Sequence, residues 1–209
     1  MKKASLLITT VMFFSAIHVF SQEESKRFVR KGLIRDQGTI SPGLLLQKEV
    51  STISLYGTLE YYVADNVSVR GDGTYSMQID EPNFTKVPYA DGFPFLSSNH
   101  QLYAGISYHF TTKGHLDPYF AIEPGVAFSQ SVTGIDSTGG YLYSNVSANP
   151  LFSPAVGFNF YFQRFFHLFA EAKYIQGTHL SNAATSLSLN ELRFAFGLGL
   201  NLNLLKKKK

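Results

Sequence analysis

Apolar and polar residues alternate with a period of two in one segment of the chain after another. Between Ile53 and Val63, for example, one face reads Ile, Leu, Gly, Leu, Tyr, Val, and the other reads Ser, Tyr, Thr, Glu, Tyr. Strict alternation over such a length is typical of β-strands whose two faces meet different surroundings. No segment carries a convincing helical period, so the sequence predicts an all-β protein.

Eight segments carry this pattern, and each is close to the ~9–11 residues that a tilted strand needs to cross a bilayer. The seven clear ones are 53–63, 67–78, 101–110, 119–128, 152–162, 166–174 and 192–204. A weaker first strand is predicted at Gly38–Gln47. Short connections are predicted at 64–66, 111–117 and 163–164, and long ones at 79–99, 130–150 and 177–190. Short turns at one end and long loops at the other are expected of outer-membrane barrels.

Charged side chains fall on one face of the predicted strands. They are Glu60, Arg70, Asp72, Glu123, Glu171, Lys173 and Arg193, and the apolar face of the seven clear strands carries none. Aromatic residues, 15% of the chain with no Trp, cluster beside the short turns, as in an interfacial girdle. A soluble sandwich or a lipocalin-like barrel would also alternate. The charges and the girdle together favour a transmembrane, antiparallel, up-and-down β-barrel of about eight strands.

In such a barrel the charged face lines the interior, which eight strands leave just wide enough for side chains to fill. The seven include four acids and three cations, and Arg35 is a candidate for the fourth cation that would balance the charge. Pairing across the 64–66 turn predicts Glu60 opposite Arg70 and Thr58 opposite Asp72. Unpaired charges in a narrow interior are costly. We therefore expect a salt-bridge network in a filled lumen, with a small conducting pore as the alternative.

The N-terminus has the features of an export signal. Lys2 and Lys3 precede an apolar stretch from Ala4 to Phe20, and cleavage is predicted after Ser21. The stretch is shorter than the ~20 residues of a membrane-anchoring helix, and polar residues interrupt it. The predicted organisation is a signal peptide at 1–21, a periplasmic segment at 22–37, the barrel at 38–205 and a basic tail at 206–209.

Composition argues against several kinds of site. The chain has no Cys, so it has no disulfide and no Cys-based metal site. Its net charge of +3 includes six lysines in the signal peptide and the tail, so the remainder is slightly acidic and lacks a basic stripe suited to nucleic acid. The histidines show no metal-ligand spacing, and no metal or other cofactor is predicted.

The layout of strands, turns and girdle resembles the small OmpA/OmpX-type, porin-like outer-membrane barrels over essentially the whole mature chain. The last strand, Gly199-Leu200-Asn201-Leu202-Asn203-Leu204, is similar to the C-terminal signal read by the barrel-assembly machinery, although it lacks the terminal aromatic residue. The resemblance implies a location in the outer membrane of a Gram-negative envelope. It also implies outer-membrane lipid and lipopolysaccharide as surroundings, and the assembly machinery as a partner during insertion.

The sequence favours a non-catalytic protein with a structural role or a binding role carried by its outer loops. Exposed aromatic residues often mark recognition surfaces. The loop between the third and fourth strands offers four such candidates for contact with a protein partner, namely Phe84, Tyr89, Phe93 and Phe95.

A catalytic alternative comes from the segment His179-Leu180-Ser181-Asn182, which is followed by Glu191. It resembles the His-x-Ser-Asn segment of the lipid A deacylases. That resemblance implies His179 as the base, Ser181 as the nucleophile and Glu191 as the acid that orients the base. Strand parity turns odd-numbered residues of this region toward the lumen, whereas a lipid-acting site must face the membrane. The parity therefore favours the non-catalytic interpretation.

Overall fold

A computed structural model describes residues 30–46, 50–78, 95–110, 114–180 and 186–203. These ranges contain ten β-strands, which are β1 (Leu33–Leu45), β2 (Val50–Tyr62), β3 (Val67–Gln78), β4 (Phe95–His109), β5 (Leu116–Ile135), β6 (Tyr141–Tyr143), β7 (Ser147–Phe160), β8 (Phe166–His179), β9 (Leu187–Ser188) and β10 (Glu191–Asn203). The described ranges contain no helix that is long and apolar enough to cross a membrane.

Eight of these strands form one closed antiparallel ring in the order β1–β2–β3–β4–β5–β7–β8–β10. The ring closes because β10 pairs with β1, from Leu33 opposite Asn203 to Leu45 opposite Glu191. The short β6 and β9 extend the outer ends of β5 and β8. Closure removes the free strand edges that a bilayer would not tolerate. The prediction of an all-β, up-and-down barrel of eight strands is confirmed.

The two faces of the strands differ as the period of two predicts. On β7, Phe152, Val156 and Phe158 expose 45%, 55% and 45% of their surface, whereas Ser153 and Asn159 are fully buried. The exposed side chains on the other strands of the ring are likewise mainly large and apolar, and the buried ones are largely polar or charged. An apolar outer surface around a polar interior suits hydrocarbon rather than water.

The register of the β2–β3 hairpin is the one predicted from the 64–66 turn. Glu60 lies opposite Arg70, and Thr58 lies opposite Asp72. A shift by one residue would have turned every charge of this hairpin toward lipid. The turn therefore decides which side chains enter the lumen.

The first strand differs from its predicted bounds. β1 begins at Leu33 rather than near Gly38, so residues 33–37 belong to the barrel and not to a periplasmic segment. The alternation was hidden because polar residues occupy both faces here. Arg35 and Gln37 are buried in the lumen, whereas Asp36 is exposed on the outer face between Leu59 and Leu200.

Four of the predicted connections also contain strand, since β4 begins within 79–99 and the end of β8 and β9 lie within 177–190. Most of the loop predicted at 130–150 is a hairpin, because β5 continues to Ile135, pairs with β6 and is followed by β7 from Ser147. Gly139 lies in its turn with a φ of 87°, a left-handed conformation that favours glycine. Asp117, placed in the connection 111–117 by the sequence, is the second residue of β5 and is buried.

Several predicted features lie outside the described residues. They are the signal peptide (1–21), the basic tail (206–209), Phe84, Tyr89, Phe93 and Ser181. Phe95 is the first residue of β4. The assignments made for these residues stay predictions.

Candidate functional site in the barrel interior

Five charged side chains meet in the middle of the lumen and are called the central cluster below. Arg70 on β3 lies 3.0 Å from Asp72, 2.6 Å from Glu123 of β5 and 2.7 Å from Glu171 of β8. Lys173 on β8 forms ion pairs with Asp72 and Glu123. In the ring of eight, β3 and β8 are four strands apart and so stand on opposite sides. The central cluster therefore bridges the full width of the lumen.

Tyrosine side chains surround the central cluster. The Tyr56 hydroxyl lies 2.8 Å from Glu171 and 3.1 Å from Asp72, and the Tyr119 hydroxyl donates to Glu171 at 2.7 Å. The ammonium of Lys173 lies 4.4 Å from the centre of the Tyr103 ring, within the range of a cation–π contact. Two cations face three carboxylates here, and the hydroxyl donors add to the stabilisation of the excess negative charge.

A second group of charges lies toward the short turns and is called the turn-side cluster. Arg35 forms an ion pair with Glu60, its neighbour in the β1–β2 register, and its guanidinium lies 5.4 Å from the centre of the Tyr62 ring. His109 bridges two acids, with Nε2 at 2.9 Å from Glu60 and Nδ1 at 3.0 Å from Asp117. All five side chains are buried.

Residues 30–32, just before β1, contact the turn-side cluster and the β2–β3 turn. Arg30 reaches Asp117 at 3.0 Å. The backbone N–H groups of Arg30 and Lys31 both donate to the Asp65 carboxylate at 3.0 Å, and Gly32 N–H donates to the Tyr62 carbonyl. This chain segment is thereby attached to the β2–β3 turn, and the Arg30 side chain is buried.

A third group lies toward the outer end and centres on Arg193, which lies 2.7 Å from Glu191. Its guanidinium also donates to Gln101 and Thr74, both at 2.9 Å, and Thr52 donates to Glu191 at 3.0 Å. Four strands of the ring contribute these side chains. We call this group the outer cluster.

The structure separates two of the residues of the catalytic hypothesis. His179 is buried, and its Nδ1 lies 2.7 Å from the Ser129 hydroxyl and its Nε2 3.2 Å from the Ser131 hydroxyl. Glu191 instead bonds to Arg193 in the outer cluster, so among the described residues it does not orient His179. The predicted contact between Glu191 and His179 is wrong, because Glu191 pairs with Arg193, two residues further along β10.

The seven charged residues predicted for the lumen are divided among three groups. Five form the central cluster, whereas Glu60 belongs to the turn-side cluster and Arg193 to the outer cluster. Glu60 lies beside Arg70 across the hairpin, yet Glu60 pairs with Arg35, because Arg70 is engaged by Asp72, Glu123 and Glu171. Asp117 was missed, although counting back by two from Tyr119 places it on the same inward face.

Ion pairs and hydrogen bonds connect the side chains of these clusters. In the described part of the chain, no group of three or more His, Asp or Glu side chains is arranged to hold a metal ion. Arg and Lys neutralise the acids instead. The clusters can hold the strands at fixed spacing and fill the lumen with paired charge.

Solved structures of small outer-membrane barrels resemble this one. Neisserial surface protein A aligns with a TM-score of 0.55 at 13% identity, covering 82% of this chain and 96% of that one. The outer membrane protein OprG from Pseudomonas aeruginosa aligns with a TM-score of 0.54 at 11% identity, covering 83% and 97%. No protein-family model and no curated protein matches the chain. The chain therefore has the fold of the small eight-stranded outer-membrane β-barrels, and its outer surface is apolar.

Proposed function

We propose that the protein is a non-catalytic outer-membrane barrel with a closed lumen, whose role is structural or is carried by binding at its outer end. The observation that supports this most directly is the central cluster. Arg70 joins β3 to β5 and to β8, which stands on the opposite wall. Paired side chains therefore span the lumen from wall to wall.

The clusters above and below it strengthen the proposal. The turn-side, central and outer clusters follow one another along the barrel axis, and each contains at least one buried Arg with an acidic partner. Opening a path would require these pairs to separate in surroundings of low dielectric, where an unpaired charge costs several kcal/mol. A barrel of this size and content favours a plug over a channel.

The hairpin of β5 and β6 is a candidate binding surface at the outer end. β5 has 20 residues, about twice the length that crosses a bilayer, so its end stands beyond the membrane. Tyr141, Leu142 and Tyr143 on β6 are 44%, 49% and 53% exposed. Tyr side chains among Ser, Gly and Asn are typical of surfaces that bind other proteins. These residues support a protein partner for the loop-mediated role.

The tip of this hairpin is held by one carboxylate. Asp136 accepts hydrogen bonds from the Thr138 hydroxyl at 2.7 Å and from the N–H groups of Thr138 and Gly140, both at 2.8 Å. These bonds, led by the hydroxyl, lower the pKa of Asp136 below its ordinary value. The turn is thus closed at neutral pH, and the exposed tyrosines extend from an ordered β-ladder.

A closed lumen predicts that the purified protein produces no discrete currents in planar lipid bilayers at neutral pH. The ion pairs of the three clusters leave no route for hydrated ions through an interior of this width. Insertion is verified in the same sample by the shift between folded and unfolded bands on unheated gels. Reproducible unitary steps from samples that show the folded band would contradict the proposal and support the pore.

The non-catalytic part of the proposal predicts unchanged lipid A. Mass spectrometry of lipid A from cells with and without the protein is expected to give the same acylation pattern. A missing acyl chain that reappears with Ser181→Ala would establish the deacylase instead. A difference that survives both Ser181→Ala and His179→Ala would exclude that site while still contradicting a non-catalytic role.

A further inference from the structure

The seam between the first and last strands of the ring is interrupted in its middle. Pairing of β1 with β10 runs up to Gln37 opposite Gly199 and resumes at Gly43 opposite Arg193 in the same register. The five positions between them on each strand, 38–42 of β1 and 194–198 of β10, are not paired with each other. These ten residues are called the seam gap below.

The seam gap is the longest interruption of strand pairing in the described part of the ring. Of the other seven ladders, five pair without a missing position. The β4–β5 and β7–β8 ladders each lack two pairs, next to Pro124 and Pro154. The seam is therefore the least continuous contact between neighbouring strands of the barrel.

Pro42 accounts for part of the seam gap, because proline has no N–H group to donate to a ladder. On its other side β1 pairs with β2 at every position from Ile34 to Leu45, including Pro42 opposite Ile53. The missing donor is therefore lost on the side of β10. Continuing the register places Phe194 opposite Pro42, so the carbonyl of Phe194 lacks the usual backbone donor.

Side-chain hydroxyls supply hydrogen bonds in place of the ladder. Ser41 donates to the carbonyl of Phe194, and Thr39 donates to the carbonyl of Phe196 at 2.7 Å. Ser and Thr satisfy freed backbone groups in this way at membrane depth. The Thr39 hydroxyl also lies 3.3 Å from the carbonyl of Ile40 on its own strand. It can keep a partner when the two strands move apart.

The side chains behind the seam gap are small and uncharged. The inward-facing ones are Thr39, Ser41, Ala195 and Gly197, and none of the ten residues of the gap carries a charge. Ala195 packs inside the barrel against the rings of Tyr56 and Phe169. Separation of the strands here would expose hydroxyl, methyl and aromatic groups to hydrocarbon. It would not expose a buried charge, which is the costly event in such surroundings.

We propose that the seam gap opens laterally toward the hydrocarbon while the pairs on both sides of it stay closed. Partial opening of this kind is expected where local contacts are fewest. Five pairs below the gap and three above it hold the ends of the seam. The ion pairs of the three clusters involve no residue of the gap. They can stay formed while the gap is open, so the opening does not depend on the closed lumen proposed above, nor does it contradict it.

The absence of Cys from the chain allows single thiols to report the opening. Ala195→Cys places a thiol behind the gap. Ser54→Cys places one at the same level behind an unbroken ladder, because Ser54 is paired with Ser41, and Ser41 lies opposite Ala195 in the register of the seam. Ala195 and Ser54 are both buried.

Both variants are inserted into phosphatidylcholine vesicles and reacted with N-cyclohexylmaleimide, which dissolves in hydrocarbon. Each rate is divided by the rate of the same variant unfolded in urea, which removes differences in thiol reactivity. The normalised rate of Ala195→Cys is expected to be about tenfold higher than that of Ser54→Cys, which corresponds to about 1.4 kcal/mol. That difference is the net contribution of one or two hydrogen bonds.

Restoring the missing N–H supplies the second arm of the test. Adding Pro42→Val to Ala195→Cys is expected to remove the tenfold difference, because valine can donate to the carbonyl of Phe194. Pro118→Val makes the same change on β5, away from the seam, and is expected to leave the rate unchanged. The folded gel band verifies each variant. If Ala195→Cys gives no folded band, Ser41→Cys probes the gap from β1 and is expected to exceed Ser54→Cys by the same factor.

Two results would overturn the lateral opening and leave the closed lumen intact. They are equal rates for Ala195→Cys and Ser54→Cys, and a fast rate for Ala195→Cys that Pro42→Val does not lower. A third result would overturn both proposals. The charged reagent sulfonatoethyl methanethiosulfonate is expected to label neither variant, and rapid labelling of Ala195→Cys by it would show that water reaches this thiol along the lumen.

Discussion

Replacing Arg70 with Met is expected to lower the free energy of unfolding by about 3–5 kcal/mol, the range found when a buried ion pair loses one partner. Arg70 contacts three carboxylates on three strands. Without it, Lys173 alone would face Asp72, Glu123 and Glu171 in the middle of the lumen. The measurement is urea unfolding in lipid vesicles, followed by the loss of the folded band on unheated gels.

Arg164→Met is the matched control. Arg164 is exposed in the turn before β8, where its guanidinium lies 5.5 Å from the centre of the Phe165 ring. Loss of this exposed Arg is expected to change the free energy of unfolding by no more than about 0.5 kcal/mol. Equal effects of the two Arg substitutions would show that the central cluster contributes no more than a surface residue.

Glu123→Gln tests the charge balance of the same cluster. It leaves two cations and two carboxylates, and it preserves the shape of the side chain. Its cost is expected to be smaller than that of Arg70→Met, because no buried charge loses its only partner. A larger loss for Glu123→Gln would mean that Glu123, rather than Arg70, is the residue on which the cluster depends.

Gly105→Ala is expected to destabilise the barrel by about 1–3 kcal/mol, the usual range for an overpacked interior. Gly105 on β4 lies opposite Arg70. An added Cβ would meet the carbonyl oxygen of Ile122 and would lie 2.9 Å from Cα of Glu123. Both contacts involve the backbone of β5, which cannot move aside without shifting Glu123 in the central cluster. The same urea titration measures the effect.

Gly38→Ala is its control, since it makes the same chemical change on β1. A Cβ at Gly38 meets nothing within 4 Å, and the residue is exposed on the outer face. Alanine there is expected to be neutral or to stabilise by about 0.4–1 kcal/mol, because it restricts the unfolded chain. Equal changes in the free energy of unfolding for Gly105→Ala and Gly38→Ala would show that the close approach of β5 does not require glycine at position 105.

Strand identity and side-chain direction could be predicted from the sequence, because both depend on a local period of two. The alternation around Ile53–Val63 and Val67–Gln78, with the short turn between them, was sufficient to place Glu60 opposite Arg70. The same parity turns Lys173 and His179 inward. Prediction was poorest where polar residues occupy both faces, as at Arg35–Gln37 in β1 and in the hairpin beyond Ser129.

Which side chains become partners was decided only by the tertiary structure. Closure of the ring brings Arg70 of β3 to Glu171 of β8, 101 residues away. Glu60 then forms its ion pair with Arg35. Closure also brings Asp117 and Arg30 together at the short-turn end. The physical reason is that each partner depends on distances across the lumen, which the number of strands and their stagger determine. Alternation along a strand shows whether a side chain points inward or outward, but it does not show which residue of the opposite wall the side chain meets.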